Sequence, residues 1–489
     1  MRSVPTPRHL RLSIAALIAV ASAASAASAQ SSTLTPRQRL AHDVYFELVS
    51  INTVDSVGSV TKAVEAMAAR FRAAGFPDSD VKVLIPPGKP TKGNLVVRYH
   101  GRGGATAGKP ILELAHLDVV AALRSDWPRD PFTPVEENGF FLGRGVSDDK
   151  AMASIFVANM LSWKQEGFVP QRDVILALTA DEEGGSANGA HWLVDQHKDL
   201  IDAAFAINEG GGGTLDGKGM DVKPLFNSIQ AAEKVYVDFT LTATNPGGHS
   251  SVPRPDNAIY ELANALGRVA KYSFPVELNP TTRGFFAQTA KVEKPAIAAA
   301  MRAIVKNPKD ASASAILSKD PRYNSTLRTT CVATRLAGGH AYNALPQSAT
   351  ANVNCRMVPT TTLDNVRSTL ARVIGDTGIK ITLTQKNEAP RFPTSTLAID
   401  PQLLNAATDI THQMFGGIPV VPVMSTGATD SHWLREAGIP SYGVSGLFSL
   451  PGETNAHGRD EKLRVKSYYD GLEFLDKLVR RLSASQTTM

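Results

Sequence analysis

Apolar residues recur at helical spacing between 35 and 74. Leu40, Val44 and Leu48 mark one stretch, and Val60, Val64, Met67 and Phe71 a second, with Gly75-Phe76-Pro77 as a stop. Short apolar runs then alternate with helical patterns. Strands are predicted at 81–84, 94–99, 111–115, 174–179 and 203–208, with helices at 150–165 and 189–198. That β/α alternation argues for an α/β layer built on a mostly parallel sheet.

The pattern changes after 234. A strand at 235–243 is followed by a helix at 255–272 and an irregular stretch with a helical centre at 275–321. Strands at 329–336, 350–357 and 380–386 then surround a helix near 362–375. This order suits a smaller α+β domain with an antiparallel sheet. Pro390 to Pro393 reads as the return linker. The first style then resumes, with helices at 402–414, 430–437 and 466–483 and a strand at 441–444. The expected organisation is a catalytic α/β domain in two parts, 30–234 and 389–489, interrupted by an inserted α+β domain at 235–388.

Residues 1–29 belong to a different regime. Arg2, Arg8 and Arg11 precede an Ala-rich apolar stretch from Leu12 to Ala26, and Ala27-Ser28-Ala29 stands before Gln30. A basic start, an apolar core and a small-residue cleavage site predict a secretory signal peptide cut after Ala29, the alternative being an N-terminal membrane anchor, for which the apolar part is short. The protein is therefore expected outside the cytoplasm, in the periplasm of a host with an outer membrane. No later segment is apolar enough to span a bilayer, so stable membrane insertion is not expected. The leader carries three arginines and no acid, so the formal net charge falls from +5 to +2 without it. A pI near 9.0 is then no argument for a nucleic-acid partner. Cys331 and Cys355 lie symmetrically about Asn343. If their flanking strands pair as a hairpin about that point, the two face each other and form a cross-strand disulfide, which an exported protein permits. The alternative is two buried thiols.

Candidate chemistry gathers where predicted strands end. The 111–115 run leads into His116-Leu117-Asp118, and the 174–179 run into Asp181-Glu182-Glu183-Gly184-Gly185. The 203–208 run leads into Glu209-Gly210-Gly211, and the 441–444 run, after a loop, into Asn455-Ala456-His457. Gly143-Arg144-Gly145-Val146-Ser147-Asp148-Asp149-Lys150 is a Gly-rich turn opening a helix. In open α/β sheets ligands bind beyond the carboxyl ends of the strands. Imidazole and carboxylate without cysteine are the ligand set of catalytic rather than structural zinc. No Gly-x-Ser-x-Gly elbow and no His-Glu-x-x-His occurs. Gly103 to Lys109 has P-loop spacing, but Pro110 stands where Ser or Thr must bind magnesium.

These motifs, with Gly247-Gly248-His249-Ser250-Ser251, resemble those of metallopeptidase family twenty over about residues 40 to 480. That family includes glutamate carboxypeptidase, aminoacylase, carnosinase and succinyl-diaminopimelate desuccinylase. The resemblance implies a zinc-peptidase-like sheet sandwiched by helices, with the insertion acting as lid and dimerisation domain. It implies two Zn²⁺, a set of ligands that cobalt or manganese would also suit. His116 would bind one zinc with Asp118 holding its imidazole, and Asp148, often followed by a cis peptide in the family, would bridge both. Glu183 and His457 would complete one metal, and Glu209 the other. A water shared by the metals would be activated as hydroxide, with Glu182 as general base. His249 would bind the carbonyl oxygen, commonly across a dimer interface. Asn343 and Arg356 would bind substrate, Arg356 by bidentate capture of a carboxylate.

Two departures stand out. Thr426-Gly427-Ala428-Thr429-Asp430 replaces the commoner Gly-Gly-Thr-Asp and bears on substrate contacts at Gly427, and Ala151 replaces a Gly. The 275–321 stretch resembles that of larger carboxypeptidase-like members. The implied activity is hydrolysis of an amide bond beside a free carboxylate, in a small peptide or an N-acyl amino acid. Two other readings remain: a co-catalytic zinc aminopeptidase, and a non-catalytic periplasmic peptide-binding protein.

Overall fold

In the computed structural model, residues 34–384, 392–394 and 397–484 are described. The expected leader, the end of the 380–386 strand and the first half of the 390–393 linker lie outside them. No helix among the described residues is long and apolar enough to cross a membrane.

The first helix, Pro36–Ser50, begins where the sequence allows it. Thr35 accepts from the backbone of Gln38, whose side chain returns the bond, and Pro36 occupies the first turn. The helix Lys150–Glu166 is buried on all sides from Lys150 to Trp163, because it runs between a sheet and other helices. Gly167 ends it in a left-handed conformation.

The larger sheet has ten strands and is largely parallel at its centre. Val174–Thr179, Ile111–His116, Phe205–Asn208 and Ser441–Gly443 lie side by side in that order and run the same way. Their side chains are buried on both faces, which is why they read as continuous apolar runs. All four therefore end at one edge. Val81–Leu84 and Asn94–Tyr99 extend the sheet antiparallel on one side.

On the other side stands a hairpin that the hydrophobic pattern does not reveal, Gly212–Lys218 with Asp221–Glu233. Its long strand buries Asn227, Ser228, Gln230 and Glu233. Each finds a partner: Asn227 donates to Thr411, Ser228 to the Gly212 carbonyl, and Gln230 to Glu233. Polar residues satisfied inside a sheet erase the apolar signature. Val420–Ser425 was also unpredicted and runs parallel to this strand. It carries Pro422, which suits an edge strand.

A second sheet of four antiparallel strands is made by Thr330–Gly338, Ser348–Met357, Val235–Thr244 and Lys380–Leu383, in that order. One face, including Val237, Phe239, Leu241, Val353 and Met357, packs against the helices Ala258–Lys271 and Leu363–Ile374. The opposite face carries Tyr236, Asp238, Asn352, Asn354 and Arg356. Cys331 and Cys355 are opposed residues of adjacent strands and are disulfide-bonded. Lys234 alone separates the strand of the large sheet from that of the small one.

The 275–321 stretch is not irregular. It forms the helices Pro280–Thr289, Pro295–Lys306 and Ala311–Leu317, and Pro321–Leu327 follows. Pro280, Pro295 and Pro321 start helices rather than break them, since a first-turn residue needs no N–H bond. Asn279, Asp310 and Asp320 supply side-chain caps. The group has its own core around Phe286, Met301, Ile304 and Leu317. Its first helix leans on the large sheet: Gly284 lies against Pro422, Asn279 donates to Met424 Sδ, and Thr281 to the Leu397 carbonyl.

Candidate metal centre

The shared edge of the parallel strands brings the strand-end motifs together. His116 closes the Ile111–His116 strand and is buried. Its Nε2 lies 3.0 Å from Asp148 Oδ1 and 3.9 Å from Glu209 Oε2. His457 Nε2 lies 3.1 Å from Asp148 Oδ2 and 2.8 Å from Glu183 Oε1. The two oxygens of Asp148 thus face the two imidazoles. The potential ligand atoms of His116, Asp148 and Glu183 all fall within 4.8 Å of one another, as do those of His116, Glu182 and Glu209. The Asp148–Asp149 peptide is cis. Among the described residues, Glu182 makes no ion pair with either imidazole, unlike Asp148, Glu183 and Glu209.

Asp118 has two parts. Its backbone carbonyl meets His116 Nδ1 at 3.0 Å, and its nearer carboxylate oxygen lies 3.5 Å from the same nitrogen. The carboxylate also accepts the backbone N–H groups of Glu182 and Glu183, at 3.0 and 2.9 Å. A buried carboxylate with two such donors is well satisfied. It fixes the loop that presents both glutamates.

Other groups hold the same loop, and no motif pointed to them. Lys92 Nζ reaches Asp181 Oδ1 at 2.6 Å and also pairs with Asp55. Asn94 accepts from the Ala180 N–H. Asn188 donates to the Asp181 carbonyl and to Asp430, which also accepts from Thr179. Asp181 has a positive φ, which Asp tolerates better than most residues. Gly185, at φ +116°, lets the chain pass over the Asp181 carboxylate, where a Cβ would sit 2.2 Å from an oxygen.

The electrostatics are those of too many acids in one place. Burial, joined by Glu209, Asp430 and Glu183, pushes the Glu182 carboxyl up to about 10. Glu209 and Asp149 are also raised, by burial and then by neighbouring carboxylates, and Asp430 rises to about 6. Asp149 Oδ2 is buried with no partner. The imidazoles are raised as well, which in their case favours the charged form. Asp148 and Glu183 raise His457 to about 9. Burial opposes a charged His116, but Asp118, Asp148 and Glu209 outweigh it and hold it above its ordinary value. Such a cluster of two imidazoles and several buried carboxylates fits two divalent cations, whose charge would offset the mutual repulsion.

The remaining candidates lie elsewhere. His249 and Asn343 are neighbours: Gly248–His249 pairs with Ala344–Leu345, and Ser250 N–H donates to the Asn343 carbonyl. Both are exposed, and His249 Nδ1 contacts Ser251 Oγ. Arg356 stacks 4.5 Å over the Tyr236 ring on the polar face of the second sheet. Gly427 follows the Val420–Ser425 strand, its N–H on Ser425 Oγ. No hydrogen bond or ion pair joins these four to the metal centre among the described residues. Beside Asp148 and Glu209 opens a cavity of about 240 Å³, walled by Met152, Ser445, Leu447 and Phe448.

The chain is 27% identical over 385 residues to the human protein named N-fatty-acyl-amino acid synthase/hydrolase PM20D1, covering 77% of this chain and 75% of that one. It is 27% identical over 466 residues to a probable carboxypeptidase S-like 2 from Dictyostelium discoideum, covering 89% and 88%. A crystal structure of the metallo-carboxypeptidase Sso-CP2 from Sulfolobus solfataricus shares the fold at a TM-score of 0.64 and 19% identity, over 91% of this chain and 99% of that one. Human carnosine dipeptidase 1 does so at 0.59 and 14%, over 92% and 100%. Residues 114–481 match the model of peptidase family M20/M25/M40, and with three quarters of its length so matched this chain belongs to that family of hydrolases acting on amide and peptide bonds.

Proposed function

We propose that this chain hydrolyses an amide or peptide bond next to a free carboxylate, with two divalent cations held by its strand-end ligands. His116, Asp148 and Glu209 would serve one cation, and His457, Asp148 and Glu183 the other. The observation that carries this reading is Asp148 set between both imidazoles, with Glu182 beside them and unpaired to either. Bound there, the cations supply Lewis acidity toward the carbonyl and a water of lowered pKa.

The chain's own residues do the rest. With positive charge at the centre, the Glu182 carboxyl is drawn back toward ionisation. It can then take the proton of the attacking water and return it to the departing nitrogen, an effect of roughly 10²–10⁴ in rate. Asp118 and Lys92 keep its loop in place. His249 would donate to the carbonyl oxygen, and Arg356, with Asn343, would bind the substrate carboxylate. Lys234 lies close enough to Arg356 to be repelled by it, so two basic side chains stand at the root of the second sheet.

Three further parts of the reading rest on separate observations. Residues 235–388 would be an inserted lid, a role supported by the separate core of the second sheet. Two copies would pair through that sheet. Its edge strand Thr330–Gly338 leaves Val332 and Leu336 exposed, beside Ile259 and Tyr260 of the adjoining helix. The chain would be exported after loss of residues 1–29, so the mature protein should begin at Gln30.

The test is to assay the metal-reconstituted protein on dipeptides and N-acyl amino acids, each with its carboxylate free and amidated. Turnover that chelator abolishes and that falls on amidation is expected. Equal turnover of amidated substrates would refute the carboxylate preference.

A further inference from the structure

The loop that presents Asp148 and the loop that presents His457 are more than three hundred residues apart in the chain, and one side chain ties them together. Glu461 is fully buried. Its Oε1 accepts the Ser147 N–H at 2.8 Å, the Ser147 hydroxyl at 2.9 Å and the Asp148 N–H at 3.2 Å. Its Oε2 accepts the Gly145 N–H at 3.0 Å and Arg144 Nη1 at 2.7 Å. Every donor comes from the turn that ends in Asp148. Arg144, itself buried, turns its other nitrogen Nη2 to the Gly458 carbonyl at 2.9 Å, one residue past His457. The Glu461 carbonyl accepts from Gly143, and Lys462–Arg464 pairs with Phe140–Leu142, so the backbone holds the same register.

We infer that Glu461, acting with Arg144, is the positioning residue that sets the separation of Asp148 from His457 and so allows the second cation to bind. The inference rests on reading those two residues as ligands. Charge-assisted acceptance of five donors by one carboxylate leaves no slack in the turn. Burial removes the water that would otherwise replace a lost bond. Neither residue contacts any of the four substrate-side candidates, so the effect should fall on metal binding and turnover, not on substrate affinity.

Glu461→Gln tests this directly, because an amide of equal size must turn its NH₂ toward donors on one side of the clamp. Arg144→Lys is milder: it keeps the charge facing Glu461 but gives up the second arm to Gly458. Asp476→Asn is the stability control, since Asp476 pairs with Arg37, Arg480 and Trp163 away from the site. Apo protein of each form is titrated with Co²⁺, following the visible absorption band and the stoichiometry, with kcat and KM measured on the loaded enzyme.

The expected result is two equivalents in the parent and in Asp476→Asn. The second equivalent should bind at least 10-fold more weakly in Glu461→Gln and measurably more weakly in Arg144→Lys. The kcat should be lowered at least 10-fold in Glu461→Gln, with KM within 3-fold. Two equivalents at parental affinity in both clamp variants would overturn the inference, as would loss of the second equivalent in Asp476→Asn. A parent that binds no divalent cation would instead sink the metal-centre reading beneath it.

Discussion

Replacing Asp118 by Asn is the sharpest single perturbation of the base loop. In the parent both carboxylate oxygens are buried, and each accepts one backbone N–H, from Glu182 at 3.0 Å and Glu183 at 2.9 Å. Hydrogen bonds to a charged group contribute about 1.5–3 kcal/mol each, and a buried donor left without a partner costs about 1–3 kcal/mol. Asn keeps one acceptor oxygen and points its NH₂ at the other N–H. One charge-assisted bond is lost, the second becomes neutral, and one donor faces another. The summed loss is about 3–5 kcal/mol if the loop stays in place. If the loop moves to relieve it, the loss appears in turnover as roughly 10²–10⁴-fold, at 1.36 kcal/mol per decade. Chemical denaturation and steady-state kinetics on the same preparation measure both channels, and their free energies together should reach about 3 kcal/mol. A variant within 0.5 kcal/mol of the parent in stability and within 3-fold in kcat/KM would show that these two bonds do not hold the loop.

Glu182→Gln should fold, bind cations to the parental stoichiometry and lose about 10²–10⁴ in kcat; retained turnover would remove Glu182 as the base. Replacing Cys331 and Cys355 together by Ser releases a loop of sequence separation 24, which loop-closure entropy values at about 3 kcal/mol; a change under 1 kcal/mol in urea unfolding would contradict that. Lys234 is lowered to about 7, first by burial and then by Arg356 and Arg328. Between about pH 7 and 10 the unfolded chain therefore binds a proton that the folded chain does not, and this residue makes stability rise with pH. Lys234→Met should remove a rise of roughly 4 kcal/mol across that window; an unchanged slope of unfolding free energy against pH would refute the assignment.

Apolar runs such as Ile111 to Ala115 and Val174 to Leu178 announced the central strands, because both of their faces meet helices. The hairpin at 212–233 did not announce itself, since its buried positions include Asn227, Ser228 and Gln230, polar side chains satisfied by hydrogen bonds that the sequence does not display. Prolines at 280, 295 and 321 looked like breaks when they were first turns, a distinction carried by the capping Asn or Asp before two of them. For the site, the strand-end position of His116, Asp181 to Glu183 and Glu209 was visible, but their pairing needed the resemblance as well. Lys92, Asn188 and the backbone donors to Asp118 were not visible. Each acts on a backbone group or a side chain brought near only by tertiary folding, and no local pattern encodes that.

The groups proposed as cation ligands are drawn from loops that begin at His116 and finish at His457, with a separately packed sheet spelled out between Glu209 and His457. No fragment ending before His457 would carry the full set of proposed ligands, so cation capture would belong to a late stage of assembly and not to its nucleation. A molecule truncated upstream of 457 would keep most of its apolar core and still lack the half of the cage that the last histidine closes.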